Sequence, residues 1–190
     1  MIVHPPCTYL TSSGLHWTTR GLRDPKLTED AVEFVRVLLD APIKHIALEN
    51  PIGRIGTAIR KANQYINPYE FGHDHAKTTG LWLKDLPDLI GWHYIPPSRW
   101  ACCGKWQEHG NCSECGKKVK PRWQNQTPRG QDKTSPSKDR WKTRSKTFEG
   151  IADAMARQWG LYCLTKLSDY VENNVFYPSH PIKEAWEAKT

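Results

Sequence analysis

Residues 1–7 read MIVHPPC and residues 45–51 read HIALENP. Each is a short apolar run that meets proline, and together they decide the fold. Met1 to His4 reads as a strand that enters the stiff turn Pro5-Pro6-Cys7 at once. His45 to Leu48 reads as a buried strand stopped by Glu49-Asn50-Pro51, since an X-Pro pair reads as an extended or turn dipeptide. Between them Ala31, Val32, Phe34, Val35, Leu38 and Leu39 recur at spacings of three and four, which predicts a helix capped by Thr28 that runs to about Asp40, with Pro42 beyond it. Strand, helix, strand with short links is a βαβ unit, which implies a parallel pair and a right-handed crossover.

Outward from this unit, residues 8–27 show little periodicity and read as a long loop. A further strand is expected within residues 64–71, and Leu81, Trp82, Leu83 and Leu86 mark a short apolar segment over residues 79–90. From Phe148 a helical pattern returns, with Ile151, Met155 and Trp159 spaced by four, and Cys163 is placed in the core. The aromatic tail from Tyr170 is expected along the surface. Residues 96–146 differ in kind: aliphatic residues almost vanish and Cys, Trp, Lys, Arg, Gln and Pro replace them. The expected fold is α/β, a partial Rossmann-like sheet built from residues 1–95 and 147–190, with residues 96–146 as a small zinc-binding basic insertion.

The whole chain, 190 residues with a formal net charge of +7 and 38% hydrophobic residues, has a globular composition on the polar side. Residues 117–146 alone carry eleven basic residues against Asp132 and Asp139, so the remainder sums to about −2 and the positive charge is local. No run reaches the roughly 18–20 apolar residues of a membrane span. The N-terminus lacks the charged and apolar regions of a signal peptide. The expected setting is cytoplasmic, where six cysteines read as thiols or metal ligands rather than disulfides.

Three constellations carry chemistry. Cys7, delivered by two prolines to the carboxyl edge of a strand, can act as a nucleophile where its surroundings favour the thiolate; the alternative is a small buried hydrophobe. Glu49, directly after the next strand, reaches the same edge if the strands are parallel, and a desolvated carboxylic acid there can donate a proton; the alternative is a cap or turn. Cys112-Ser-Glu-Cys115-Gly116 is a zinc knuckle. Its other half is less regular, and Cys103, His109, Cys112 and Cys115 are the expected ligands, with Cys102 as the alternative. The site reads as structural. The basic stretch with Trp123 and Trp141 suits phosphate contact and base stacking, with Arg122, Trp123, Arg140 and Arg144 as its candidate residues. A solvated loop is the alternative for residues 131–138. His73, Asp74 and His75 suggest either a metal site or a polar turn.

Pro-Pro-Cys after one strand and Glu-Asn after the next resemble the two catalytic motifs of the DNA cytosine-5 methyltransferases. HPPCTYLTSSG, IALENPIGRI, INPYEFG, TTGLWLKDLP and RWKTRSKTFEGIADAMARQWG together resemble the cytosine methyltransferase-like proteins of phages and prophages. The resemblance implies that Cys7 attacks C6 of cytosine while Glu49 holds and protonates N3, with a methyl taken from S-adenosylmethionine. It also implies that residues 8–23, with Ser12 and Ser13, form a mobile loop closing on a flipped base; Asn50 and Arg54 are further candidates for contact with substrate or nucleic acid, Arg54 with a plain surface residue as its alternative. A phage-encoded chain would work in the host cytoplasm. In the family a Gly-containing loop upstream of Pro-Pro-Cys binds the methyl donor, and no such loop is visible here. The Pro-Pro-Cys strand then ends the sheet as a bare edge, so a complementing chain or a homodimer through residues 1–4 is expected. Two other classes stay open: a catalytically inactive DNA-binding or regulatory scaffold, and a pyrimidine-modifying enzyme with a different one-carbon donor.

Overall fold

A computed structural model describes residues 1–134, 137–138, 142 and 145–174, with side chains to residue 169. It is a mixed α/β structure with two sheets. The larger sheet holds β1 (Ile2–Val3), β2 (Ile46–Pro51), β3 (Gln64–Ile66) and β4 (Thr79–Lys84) in the order β1-β2-β4-β3. β1 and β2 are parallel, Ile2 opposite Ala47 and Val3 opposite Leu48. β4 runs antiparallel to both β2 and β3. The expected parallel pair is therefore present, and β1 is an edge strand.

Alternation along β2 and β4 splits the core. Ala47, Leu81 and Leu83 pack on one face with Ile66, Phe71 and Leu89, while Leu48 and Trp82 pack on the other with Leu10 and Ile55. Helix α2 (Lys26–Asp40) covers the second face through Val32 and Val35. A continuous helical run covers the first: α4 (Glu149–Ala154), a π turn (Met155–Trp159) and α5 (Gly160–Asn174). Ile151, Ala154, Met155 and Trp159 are the buried residues of that layer, and the Trp159 indole donates to the Pro87 carbonyl at 2.9 Å. Both faces of a four-stranded sheet are thus closed by helices, as a strand rich in apolar residues on both sides requires.

Several local expectations are corrected. Residues 8–27 are not a loop: a 3₁₀ turn (Cys7–Tyr9) leads into α1 (Ser12–Thr19), capped by the Thr11 hydroxyl, which accepts from the Gly14 amide at 3.2 Å. No residue of α1 is buried, so the helix leaves no apolar stripe to read in the sequence. α2 starts at Lys26 behind Pro25, where the Asp24 carboxylate accepts from the Lys26 amide at 2.9 Å; Thr28 is buried within it, and Phe34 points outward. Glu49-Asn50-Pro51 does not stop β2 but pairs with Leu81, Gly80 and Thr79 of β4. Pro51 is tolerated because β1 has already left its other side. The strand expected in residues 64–71 ends at Ile66, and Pro68–Glu70 is a 3₁₀ turn boxed by Asn67 and Glu70. Cys163 is half-buried rather than core. The tail beyond residue 174 lies outside the described residues.

The second sheet, ordered β6-β5-β7, comprises β5 (Arg99–Cys102), β6 (Lys105–Gln107) and β7 (Lys120–Arg122), all antiparallel. It docks against residues 69–76 of the larger body. Trp123 stacks on Tyr69 with centroids 4.0 Å apart and planes 9° from parallel, and its indole donates to the Ile95 carbonyl at 3.0 Å. Asn125 makes two bonds with the main chain of Ala76, accepting from its amide at 2.9 Å and donating to its carbonyl at 3.0 Å. No helix among the described residues is long and apolar enough to cross a membrane.

Candidate functional site: a thiol and carboxylate edge and a four-cysteine cluster

The β1–β2 register determines what meets at the carboxyl edge of the large sheet. Glu49 lies one residue past Leu48 on β2, and His4 one residue past Val3 on β1. His4 Nδ1 and Glu49 Oε2 are 3.0 Å apart. One residue on, the Asn50 amide donates to the Pro5 carbonyl at 2.9 Å, and this clasp fixes the Pro-Pro turn against β2. Asn50 is buried, and its Oδ1 has no partner among the described residues. Cys7 follows the turn with an exposed side chain, its carbonyl accepting from the Leu10 and Thr11 amides.

Glu49 faces the α4 side of the sheet, as its pairing with Leu81 demands. A crevice opens there, lined by His4, Glu49, Lys77, Thr79, Lys146 and Phe148 among others. Lys146 and Phe148 arrive from the segment that leads into α4, so the end of the basic stretch closes on the carboxylate. Cys7 does not line that crevice.

Residues 8–23, the segment the resemblance makes a mobile loop, contact the body at several points. Thr11 and Gly53 form an antiparallel bridge, the Arg54 amide donates to the Leu10 carbonyl at 2.6 Å, and a side chain at position 53 would strike that same carbonyl. Arg23 donates to the Thr8 carbonyl at 3.0 Å and lies 4.9 Å over the Tyr9 ring. The Ser12 hydroxyl donates to the Ile52 carbonyl at 3.2 Å, and the Ser13 hydroxyl sits 3.3 Å from that of Thr11. Ser12 thus tethers α1 to Ile52 and Ser13 sits beside the capping Thr11 hydroxyl, while Arg54 is exposed at the start of the short helix α3 (Ile55–Ala58).

The second site is a cysteine cluster. β5 and β6 are joined by Cys103-Gly104, both at positive φ (53° and 77°), the conformation of a two-residue hairpin turn. That turn brings Cys102 and Cys103 toward the knuckle, whose Cys112 carbonyl accepts from the Gly116 amide at 2.9 Å. The four sulfurs all lie within 4.8 Å of one another, with Cys102–Cys115 at 3.5 Å and Cys103 at 3.9 Å from both Cys102 and Cys112. Four thiolates held about 2.3 Å from a tetrahedral zinc ion stand about 3.8 Å apart. The cluster therefore fits a metal ion such as zinc. Cys102 completes the set and His109 does not: its ring packs edge-on against Trp100, 5.0 Å between centroids. The Lys117 amide holds the Cys115 thiol down at about 7, whereas hydrogen bonds from Cys115 and its neighbours push Cys103 up to about 12.

His73, Asp74 and His75 do not converge on a metal. His73 Nε2 accepts from the Gly150 amide at 3.0 Å, Asp74 accepts from the Gln124 amide at 2.9 Å, and His75 lies 3.8 Å from Asp132. They join the basic segment and α4 to the body. Of the residues expected to contact nucleic acid, Trp123 is 8% exposed and serves packing. Arg122 donates to the Pro128 and Pro121 carbonyls, which holds the loop after β7. Arg140, Trp141 and Arg144 lie outside the described residues. Trp106, on β6, went unremarked in the sequence and stands exposed. Its signal was the Lys-Trp pair straight after the Cys-Cys-Gly turn. No known protein family, curated protein or solved structure matches the chain.

Proposed function

We propose that this is a DNA cytosine-5 methyltransferase-like protein in which Cys7 is the nucleophile and Glu49 the acid. The observation that supports the reading is the parallel β1–β2 register with the Asn50–Pro5 clasp, which sets the Pro-Pro turn that precedes Cys7 beside the end of the strand that carries Glu49. The Rossmann-like relationship of the larger body belongs to the same reading, supported by the βαβ start and the helical cover on both faces.

In the proposed step the Cys7 thiolate adds to C6 of a cytosine, forming an S–C6 bond as the C5–C6 π pair moves into the ring. Glu49 gives its proton to N3, so no net charge builds up there. C5 becomes nucleophilic. Return of that proton and departure of the thiolate restore the base. His4, bonded to Glu49, orients the carboxyl group. The basic segment supplies phosphate contact, and its cysteine cluster holds zinc as a structural staple.

S-adenosylmethionine, which the resemblance implies, does not fit what is described here. No glycine-rich loop follows a strand of the large sheet, and β1, on the side where the family keeps its cofactor strands, is one of its two edges. The β1 edge is proposed to pair along residues 1–4 with a complementing chain or a second copy. A second reading, a binding scaffold without catalysis, draws on the exposure of Cys7 outside the Glu49 crevice.

Addition and reversal need no methyl donor, and while the adduct lasts the C5 proton exchanges with solvent. Incubation of a cytosine-containing strand in deuterated water is expected to label C5, with loss of labelling in Cys7→Ser and at least a tenfold fall in Glu49→Gln, in the range of general acid–base effects of about 10²–10⁴. Labelling that survives in Cys7→Ser, or is absent from the native chain, would sink the catalytic reading in favour of the scaffold.

A further inference from the structure

The small sheet has a face that none of the readings above has used. Ala101 pairs with Trp106 on one side and Lys120 on the other, and Arg99 pairs with Arg122. Side chains two apart share a face, so Arg99, Trp106, Lys120 and Arg122 stand together over the buried Ala101. Trp106 is 41% exposed.

Two cations converge on that ring. The Arg99 guanidinium carbon lies 4.5 Å from its centroid and the Lys133 ammonium 5.8 Å. The same two groups meet again at one oxygen: the Gln124 carbonyl accepts from Arg99 at 3.4 Å and from Lys133 at 2.8 Å. Neither has a carboxylate partner among the described residues. The ring's quadrupole accounts for each cation singly. It does not account for two like charges drawn to one carbonyl, with Lys120 and Arg122 on the same face, since like charges at this spacing repel. An anion bound between them would relieve that repulsion, and an exposed aromatic beside an anion subsite is the pattern of a nucleic-acid strand on a stacking platform.

We propose that this face binds an unpaired nucleic-acid strand, with Arg99 and Lys133 on a backbone phosphate and Trp106 against a base. The inference rests on the nucleic-acid reading of the basic segment and moves its aromatic contact from Trp123 to Trp106. An unpaired strand is favoured over a duplex because bases within a duplex are already stacked on both sides and offer no face to an indole.

The test is fluorescence anisotropy of the full metal-loaded chain with a short labelled oligothymidine and with a duplex of equal length, between about 50 and 200 mM salt. Trp106→Ala is expected to weaken strand binding by about 10- to 100-fold, in line with loss of one stacked base, and Trp106→Phe to retain most of it. Arg99→Ala with Lys133→Ala is expected to weaken it and to flatten its salt dependence by about one to two phosphate contacts. Trp92→Ala, at an exposed indole off this sheet, should change nothing. Metal content checks that each variant is folded; should Trp106→Ala lose its metal, the Arg99/Lys133 pair decides. Strand binding indifferent to Trp106 and to that pair, or duplex binding that exceeds it, overturns the proposal. Oligothymidine carries no cytosine, so its binding and the C5 labelling can fail separately.

Discussion

The two sheets of this molecule are held by different forces. The four-stranded body buries Leu48, Leu81, Trp82 and Ile46 at 1% exposure or less, and the buried stripes of helices close both its faces. The three-stranded sheet buries little beyond Ala101, Cys112, Val119 and the docking ring of Trp123. One region excludes water from a continuous apolar interior. The other is too thin for that, and in the proposed reading a metal held by its four clustered sulfurs staples it. The difference teaches that a single chain can pair a packed scaffold with a stapled appendage, and that damage to one need not reach the other.

The largest expected effect tests the staple. Cys112→Ala, or metal removal by chelation, should unfold β5, β6 and β7, because metal affinity in such modules is itself folding free energy, about 10 kcal/mol or more. Amide exchange should become fast in those strands while β2 and β4 keep their protection. Elemental analysis should find one metal ion per native chain. Loss of protection in both sheets together would break the comparison. A smaller effect runs the other way: Trp82→Ala should cost about 3–5 kcal/mol of body stability and leave metal content unchanged, read by denaturant titration beside elemental analysis.

The smallest effect falls on the seam between them. Burial holds the His75 pKa below its usual value, against the opposing pull of Asp132. The unfolded chain therefore takes up a proton that the docked form resists. Stability from this group is complete above about pH 6.5 and is lost as pH falls below it. Melting temperatures compared near pH 7.5 and 5.5 should show the loss, and His75→Asn should shrink the difference.

Much of the body could be read from residues alone. Apolar spacing over residues 31–39 and the two proline-terminated runs contain the parallel pair, and with it the meeting of His4 and Glu49 at one edge. Helix α1 could not be read, since capping by Thr11 and bridging to Gly53 form it without an apolar stripe. In the cluster, spacing could not choose between Cys102 and His109. The choice comes from the backbone, where positive φ at Cys103 turns two adjacent thiols toward one knuckle. The fate of Trp123 depended on Tyr69, a contact across 54 residues that local pattern cannot carry.

The hairpin turn at Cys103-Gly104 also bears on the order of assembly. Its sulfurs find their partners only 9 to 13 residues along the chain, whereas His4 and Glu49 are 45 apart. Short loops close fast and at low entropic cost, and pairing across long separations is slow. On refolding with metal present, the appendage is expected to be complete before β1 finds β2. The two bonds between Asn125 and Ala76 would then join an already rigid piece to a body still organising itself. Pulse-labelled exchange on refolding would show β5 and β6 protected ahead of β2. Late protection of those strands would place the metal at the end of folding.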